Sequence, residues 1–245
     1  MDIVAASFIA LVCVCSACAL YMVRVASPMH TWRAFLFLAL VTIFELAVAS
    51  TGLFQQFGVL PPRLALLMVP LALSGAWLVL RSEFGARLVC LPYHLLMGSQ
   101  AFRVLVELWI AAAHVNGVVP SQFTFPRNFD AAIGLLAGAL GLWGWCNVGV
   151  RADDAKILFR EQVWSGIWAT SSFASIGNLI VTAMTSGPLV SLHEQTVYEL
   201  LGAPYILLPG LLLIVFAWMG TLCIAVRFAC VRGASLIHYV PQEDE

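Results

Sequence analysis

The sequence predicts an all-α fold, a polytopic bundle of seven transmembrane helices with its N-terminus outside and its C-terminus in the cytoplasm. Three observations carry that expectation. Apolar residues make up 62% of 245 positions and charged residues only 10%, with a mean hydropathy of +0.95. A water-soluble domain is about half apolar and a quarter charged, so soluble enzymes, disordered tails and nucleic-acid binders are excluded. The apolar residues also fall into runs near the ~20 residues that cross about 30 Å of hydrocarbon. Finally, basic residues alternate from one loop to the next, and a net charge of −1 leaves no basic field for a polyanion.

The runs are Ile3–Val23, Trp32–Leu53, Leu64–Leu80, Leu91–Val115, Phe129–Val148, Trp164–Thr185 and Leu200–Val226, within a single integral membrane domain. Gly, Pro and charge cluster between them. Arg24 and Arg33 follow the first run, Arg81 and Arg87 the third, Arg151, Lys156 and Arg160 the fifth, and Arg227 and Arg232 the seventh. The opposite side has Arg63 and Arg127. That asymmetry puts the basic loops in the cytoplasm, and an even number of crossings would destroy it.

Taken in order, the first run has Asp2 and no base ahead of it and no A-x-A site after it, so it reads as a retained helix, not a signal peptide. Its Cys13, Cys15 and Cys18 have no second half-site for a structural zinc and read as small, polarizable packing residues. The second run carries Glu45 and the third Pro70. The fourth carries Gln100, Arg103 and Glu107 on one face, with Arg103 and Glu107 at pairing distance i, i+4. In the outer loop that follows, Asn128 is placed to cap the fifth helix and Asp130 sits in its first turn. Alternatively, Arg127 and Asp130 guard an entrance. The sixth run bears a stripe of Ser171, Ser175, Asn178, Thr182 and Thr185. Pro204 and Pro209 open the seventh.

Charges inside a membrane are informative because each costs roughly 2.5–3.5 kcal/mol at a helix centre. Counted at 1.5 Å per residue from the cytoplasmic ends, Glu45 lies about 20 Å up, Arg103 about 17 Å, Glu107 about 23 Å and Asn178 about 21 Å. The expectation is one shared polar centre near the midplane, built by the second, fourth and sixth helices. Arg103 would bind an anionic group or supply a counter-charge, Glu45 and Glu107 would exchange a proton or cation, and Ser175, Asn178 and Gln100 would orient the ligand. The competing reading is that the same groups only lock helix packing. In that case the chain is a structural or assembly subunit with a membrane-protein partner, or a homo-oligomer.

Phe102-Arg103-Val104-Leu105-Val106-Glu107, Gly117-x-x-Pro120, Thr124-Phe125-x-Arg127-Asn128-Phe129-Asp130 with Gly134, and Pro204-Tyr205-x-x-Leu208-Pro209 also form a pattern. It resembles a family of uncharacterised small bacterial integral membrane proteins with seven helices, over about residues 92–215. The Thr-Phe to Arg-Asn spacing is one residue shorter here, and the last helix lacks a histidine found in the pattern. The resemblance implies a bacterial inner-membrane protein and singles out Arg103, Glu107, Arg127, Asn128 and Asp130. It implies no activity.

No cofactor or metal is expected. A retinal Schiff base needs a lysine in the last helix, and the one lysine is Lys156. His94 and His114 share one helix about 30 Å apart, which does not suit a bis-histidine haem. H-E-x-x-H and G-x-S-x-G are absent, and His193-Glu194 alone is a weak metal pair. An enzyme acting on lipid finds no nucleophile or metal cluster here. The expected partners are the bilayer and a small polar solute or ion.

Overall fold

A computed structural model describes residues 3–55, 63–124, 128–148, 155–186 and 201–237, all helix, turn or loop with no strand among them. The helices are α1 (Ile3–Ala26), α2 (Thr31–Ser50), α3 (Arg63–Arg81), α4 (Glu83–Val89), α5 (Tyr93–Ser99), α6 (Phe102–Val115), α7 (Asp130–Cys146), α8 (Ala155–Thr185) and α9 (Met219–Ile237). A π-helical stretch, Leu208–Trp218, leads directly into α9. Six units are long and apolar enough to cross a membrane: α1, Pro28–Ser50, α3, Tyr93–Val115, Lys156–Thr185 and Tyr205–Cys230. The shorter apolar helix α7 has 17 residues. Arg127, His193 and Glu194 lie outside the described residues.

The chain differs from the expected runs in four places. The fourth run is two helices, α5 and α6, joined through Gln100 and Ala101. There the bonds tighten to the i→i+3 kind, from Gln100 N to Met97 O at 3.0 Å and from Ala101 N to Gly98 O at 3.1 Å. Gly98 and Ser99 are the cause: glycine adds no packing to hold the regular turn, and Ser99 Oγ donates to Leu96 O at 2.8 Å. The Arg81–Arg87 loop contains α4, started by Ser82, whose Oγ accepts from Gly85 N at 2.9 Å. The sixth helix begins well before Trp164, at Ala155. The last run passes through a 3₁₀ turn, Tyr205–Leu207, into π geometry at Leu208–Trp218 rather than α.

Two apolar clusters make the core. One joins α1, α2, α6 and the start of the last span through Phe8, Trp109, Ala113, Leu207 and Leu211. Phe8 and Trp109 have ring centroids 4.6 Å apart, and Tyr205 closes the group at 5.6 Å from Phe8. The other joins α3, α4, α5, α7, α8 and α9 through Val79, Tyr93, Met97, Ala137, Trp168 and Ile224. Arg103 falls between Met97 and Val106 along the chain, and Thr221 between Leu212 and Cys223. The polar residues therefore sit where the two clusters meet.

α7 approaches its neighbours closely because it presents glycine to them. A Cβ on Gly134 would stand 2.9 Å from the Val104 backbone N, and one on Gly141 would stand 2.8 Å from Gly98 Cα and N. Membrane helices have little hydrophobic drive to associate, so small residues that admit backbone contact carry the packing. Replacing Gly141 by Leu should therefore push α7 off α5 and destabilise the protein by about 1–3 kcal/mol. Gly138→Ala, whose Cβ would meet only the Ala101 Cβ at an ordinary 3.5 Å, should be tolerated. Thermal unfolding of the two variants in one detergent checks the contrast.

Candidate functional site

Arg103 is 1% exposed, so its guanidinium must be answered entirely by protein. Nη1 donates to Asp130 Oδ1 at 2.6 Å, an ion pair between α6 and the first turn of α7. Nη2 donates to Ser172 Oγ of α8 at 2.7 Å, to Thr221 Oγ1 of α9 at 3.1 Å, and to Ala217 O at 3.4 Å. Trp168 lies against the cation, its ring centroid 5.5 Å from Cζ. Trp168 is itself fixed by an Nε1 bond to Ile133 O at 2.9 Å. Only Nε of Arg103 lacks a partner.

Asp130 is held just as fully. Ser175 Oγ donates to Oδ1 at 2.7 Å, and the Asp130 backbone N donates to Asn128 Oδ1 at 3.1 Å. Asn128 carries the network onward: its Nδ2 donates to Glu107 Oε1 at 2.5 Å and to Phe123 O at 3.2 Å. The expected helix cap is corrected: Phe129 is the N-cap and no side chain caps the helix, while Asn128, one residue earlier, ties the approach to α7 through Asp130 N. The spacing-based pair of Arg103 with Glu107 is corrected. Asp130 takes the arginine and Asn128 takes Glu107, because the α5–α6 break and the close seat of α7 bring the loop end inward. Asp130, at 5% exposure, is a buried counter-charge and does not stand at an entrance.

Glu45 lies apart from this cluster. It is 0% exposed, and neither carboxylate oxygen makes a well-formed hydrogen bond. Its neighbour is the π-helical backbone: a Cβ on Gly210 would overlap Oε1, and the donor facing the carboxyl is the Leu211 amide. Gly210 and Ala217 are seven residues apart in the π-helical stretch. Glu45 and Arg103 therefore meet different levels of the last span. The single shared centre is corrected to a closed cluster and a separate carboxyl. Equal depth does not ensure a shared azimuth.

Gln100 is 3% exposed and lies over Gly220, where any Cβ would overlap its Nε2. Its Oε1 has no partner. Asn178 is half-buried and is not among the partners of Arg103 or Asp130. The residues that sequence reasoning missed are Ser172, Thr221 and Trp168. The inward face of α8 is Ser165, Trp168, Ser172 and Ser175, all at 3% exposure or less. Its spacing of three, four and three was as legible as the stripe chosen. Thr221 is the one hydroxyl between Leu207 and Cys230.

Among the described residues no group of three His, Cys, Asp or Glu comes together to hold a metal. Compared with protein-family models, curated proteins and solved structures, the chain finds no match.

The ion pair can be tested by a double-mutant cycle. Arg103→Met alone or Asp130→Asn alone leaves an uncompensated buried charge and should destabilise by about 3–5 kcal/mol. The double variant should lose less than the sum of the two. Denaturant unfolding in micelles reads all four proteins, and strict additivity would mean the pair is not coupled.

Proposed function

We propose that the chain is a bacterial inner-membrane protein that crosses seven times, N-terminus out and C-terminus in the cytoplasm, and handles a proton or small cation at Glu45. The alternating basic loops support the orientation, and α7 would be the seventh crossing. One observation carries the function: a fully buried carboxyl with no basic side chain beside it among the described residues. A carboxylate in that setting is untenable without a proton or a cation. Its neighbour strengthens the reading, since π-helical geometry is rare and often marks functional sites. In this scheme Gly210 makes room for the carboxyl. The Arg103–Asp130 cluster is the neutral, hydrogen-bonded frame that holds α6, α7, α8 and the last span in register. Arg103 is then the counter-charge to a residue of its own chain and not the receptor of an anionic solute.

A second reading has its own observation. The Arg103 cluster is saturated by protein groups, as a packing device in a structural or assembly subunit would be. Reconstituted vesicles separate the two. With an internal pH dye and an imposed potential or sodium gradient, the protein should carry proton or cation flux above that of empty vesicles. Glu45→Gln, which keeps the shape of the side chain, should reduce it to the empty-vesicle level without lowering thermal stability. Unchanged flux in that variant sinks the assignment to Glu45. No flux from the parent protein under any gradient turns the balance to the assembly subunit.

A further inference from the structure

α2 and α3 follow one another in the chain, yet each packs on the last span and they scarcely touch. The cleft between them holds two cavities of about 540 and 830 Å³ that share Phe37, Leu71 and Ser74, forming one furrow along α3. The smaller runs beside α3 from Leu71 to Ser82, about 16 Å. That is the depth of one leaflet, half of the ~30 Å hydrocarbon core. Its walls are largely apolar, with Ser74, Ser99 and Gln100 among the lining side chains.

The other end is cationic. Arg33 and His30 line it, and no aspartate or glutamate does among the described residues. Arg33 is exposed and has no carboxylate partner among those residues. His30 Nδ1 is 2.7 Å from Ser27 Oγ, which also accepts from Arg87 Nη1 at 3.4 Å, so a third basic group stands at the same end. Trp32 and Trp77, each 65% exposed, flank this level as interfacial aromatics do.

We infer that this furrow binds an anionic phospholipid from the leaflet on the Arg33 side. The phosphate meets Arg33 and His30, and one acyl chain runs down the cavity toward Gln100. A partner's transmembrane helix fits less well. Such a helix would leave the cationic end of the furrow, at Arg33 and His30, without an anionic partner.

The test titrates delipidated full-length protein with dioleoylphosphatidylglycerol or dioleoylphosphatidylcholine and counts bound lipid by native mass spectrometry. The parent protein should prefer the anionic lipid about fivefold, the scale of one basic side chain meeting an anionic surface. Arg33→Gln, at an exposed position, should abolish the preference while binding of the zwitterionic lipid persists. Ser74→Phe, at an exposed position common to both cavities, should remove the tight site for both lipids. Equal binding of the two lipids by the parent, or an anionic preference unaltered by Arg33→Gln, overturns the proposal. So does a protein dimer that survives delipidation and is broken by Ser74→Phe, since the occupant would then be a second copy.

Discussion

The burial of one guanidinium governs this structure. Arg103 cannot reach water, and an arginine without a counter-charge in a low-dielectric interior is strongly unfavourable. The protein answers with groups from every helix around it: Asp130 from α7, Ser172 from α8, Thr221 and Ala217 O from the last span. Each of these bonds restricts where its helix can sit. The α5–α6 break turns Arg103 toward them, and Gly134 lets α7 come near enough for Asp130 to reach. Asn128 then fixes the approach to α7 by bonding Asp130 N on one side and Glu107 on the other.

Against that frame, the residues whose hydrogen bonding is incomplete stand out. Buried polar atoms in native proteins are nearly always paired, so orphans concentrate attention. Glu45 leaves two carboxylate oxygens and Gln100 leaves one amide oxygen without partners. Both lie against glycines of the last span, Gly210 and Gly220, where a side chain would have displaced them. The satisfied arginine meets the last span at Ala217 and Thr221, on either side of Gly220, so the unpartnered Gln100 oxygen adjoins the closed cluster while Glu45 stands apart from it at Gly210.

Much of the architecture was legible in the sequence because hydrocarbon is a demanding solvent. It requires long apolar helices, so the all-helical class and the rough limits of six long apolar helices follow from composition, and it makes every buried charge conspicuous. Arg103, Glu107 and Glu45 were visible for that reason. Partnership was not visible. Local spacing favours Glu107 for Arg103, but Asp130, 27 residues away in sequence, reaches it through a loop whose path no periodicity encodes. Depth counted along a helix carries no information about the direction a side chain faces, and Glu45 faces the π-helical backbone at Gly210 and not Arg103. On α8 the polar stripe and the buried face share Ser175 but part elsewhere, since the face turns inward through Ser165, Trp168 and Ser172 while Ser171 is half-buried. The π-helical stretch, Leu208–Trp218, is a matter of hydrogen-bond register, which apolar composition does not reveal.

The brevity of α7 has a consequence for the lipids around it. Seventeen residues rise about 25 Å, several ångströms short of a typical hydrocarbon layer. Leu135, Leu142 and Trp145 on its outer side are well exposed. Under the proposed seven-crossing arrangement this flank would meet acyl chains directly, and the surrounding lipid would thin there or the bundle would lean, at a fraction of a kcal/mol for each ångström. The longer helices would make no such demand. On that arrangement the protein would carry a shallow side and a deep side, and a membrane of uneven thickness would orient it and draw it toward its thinner regions.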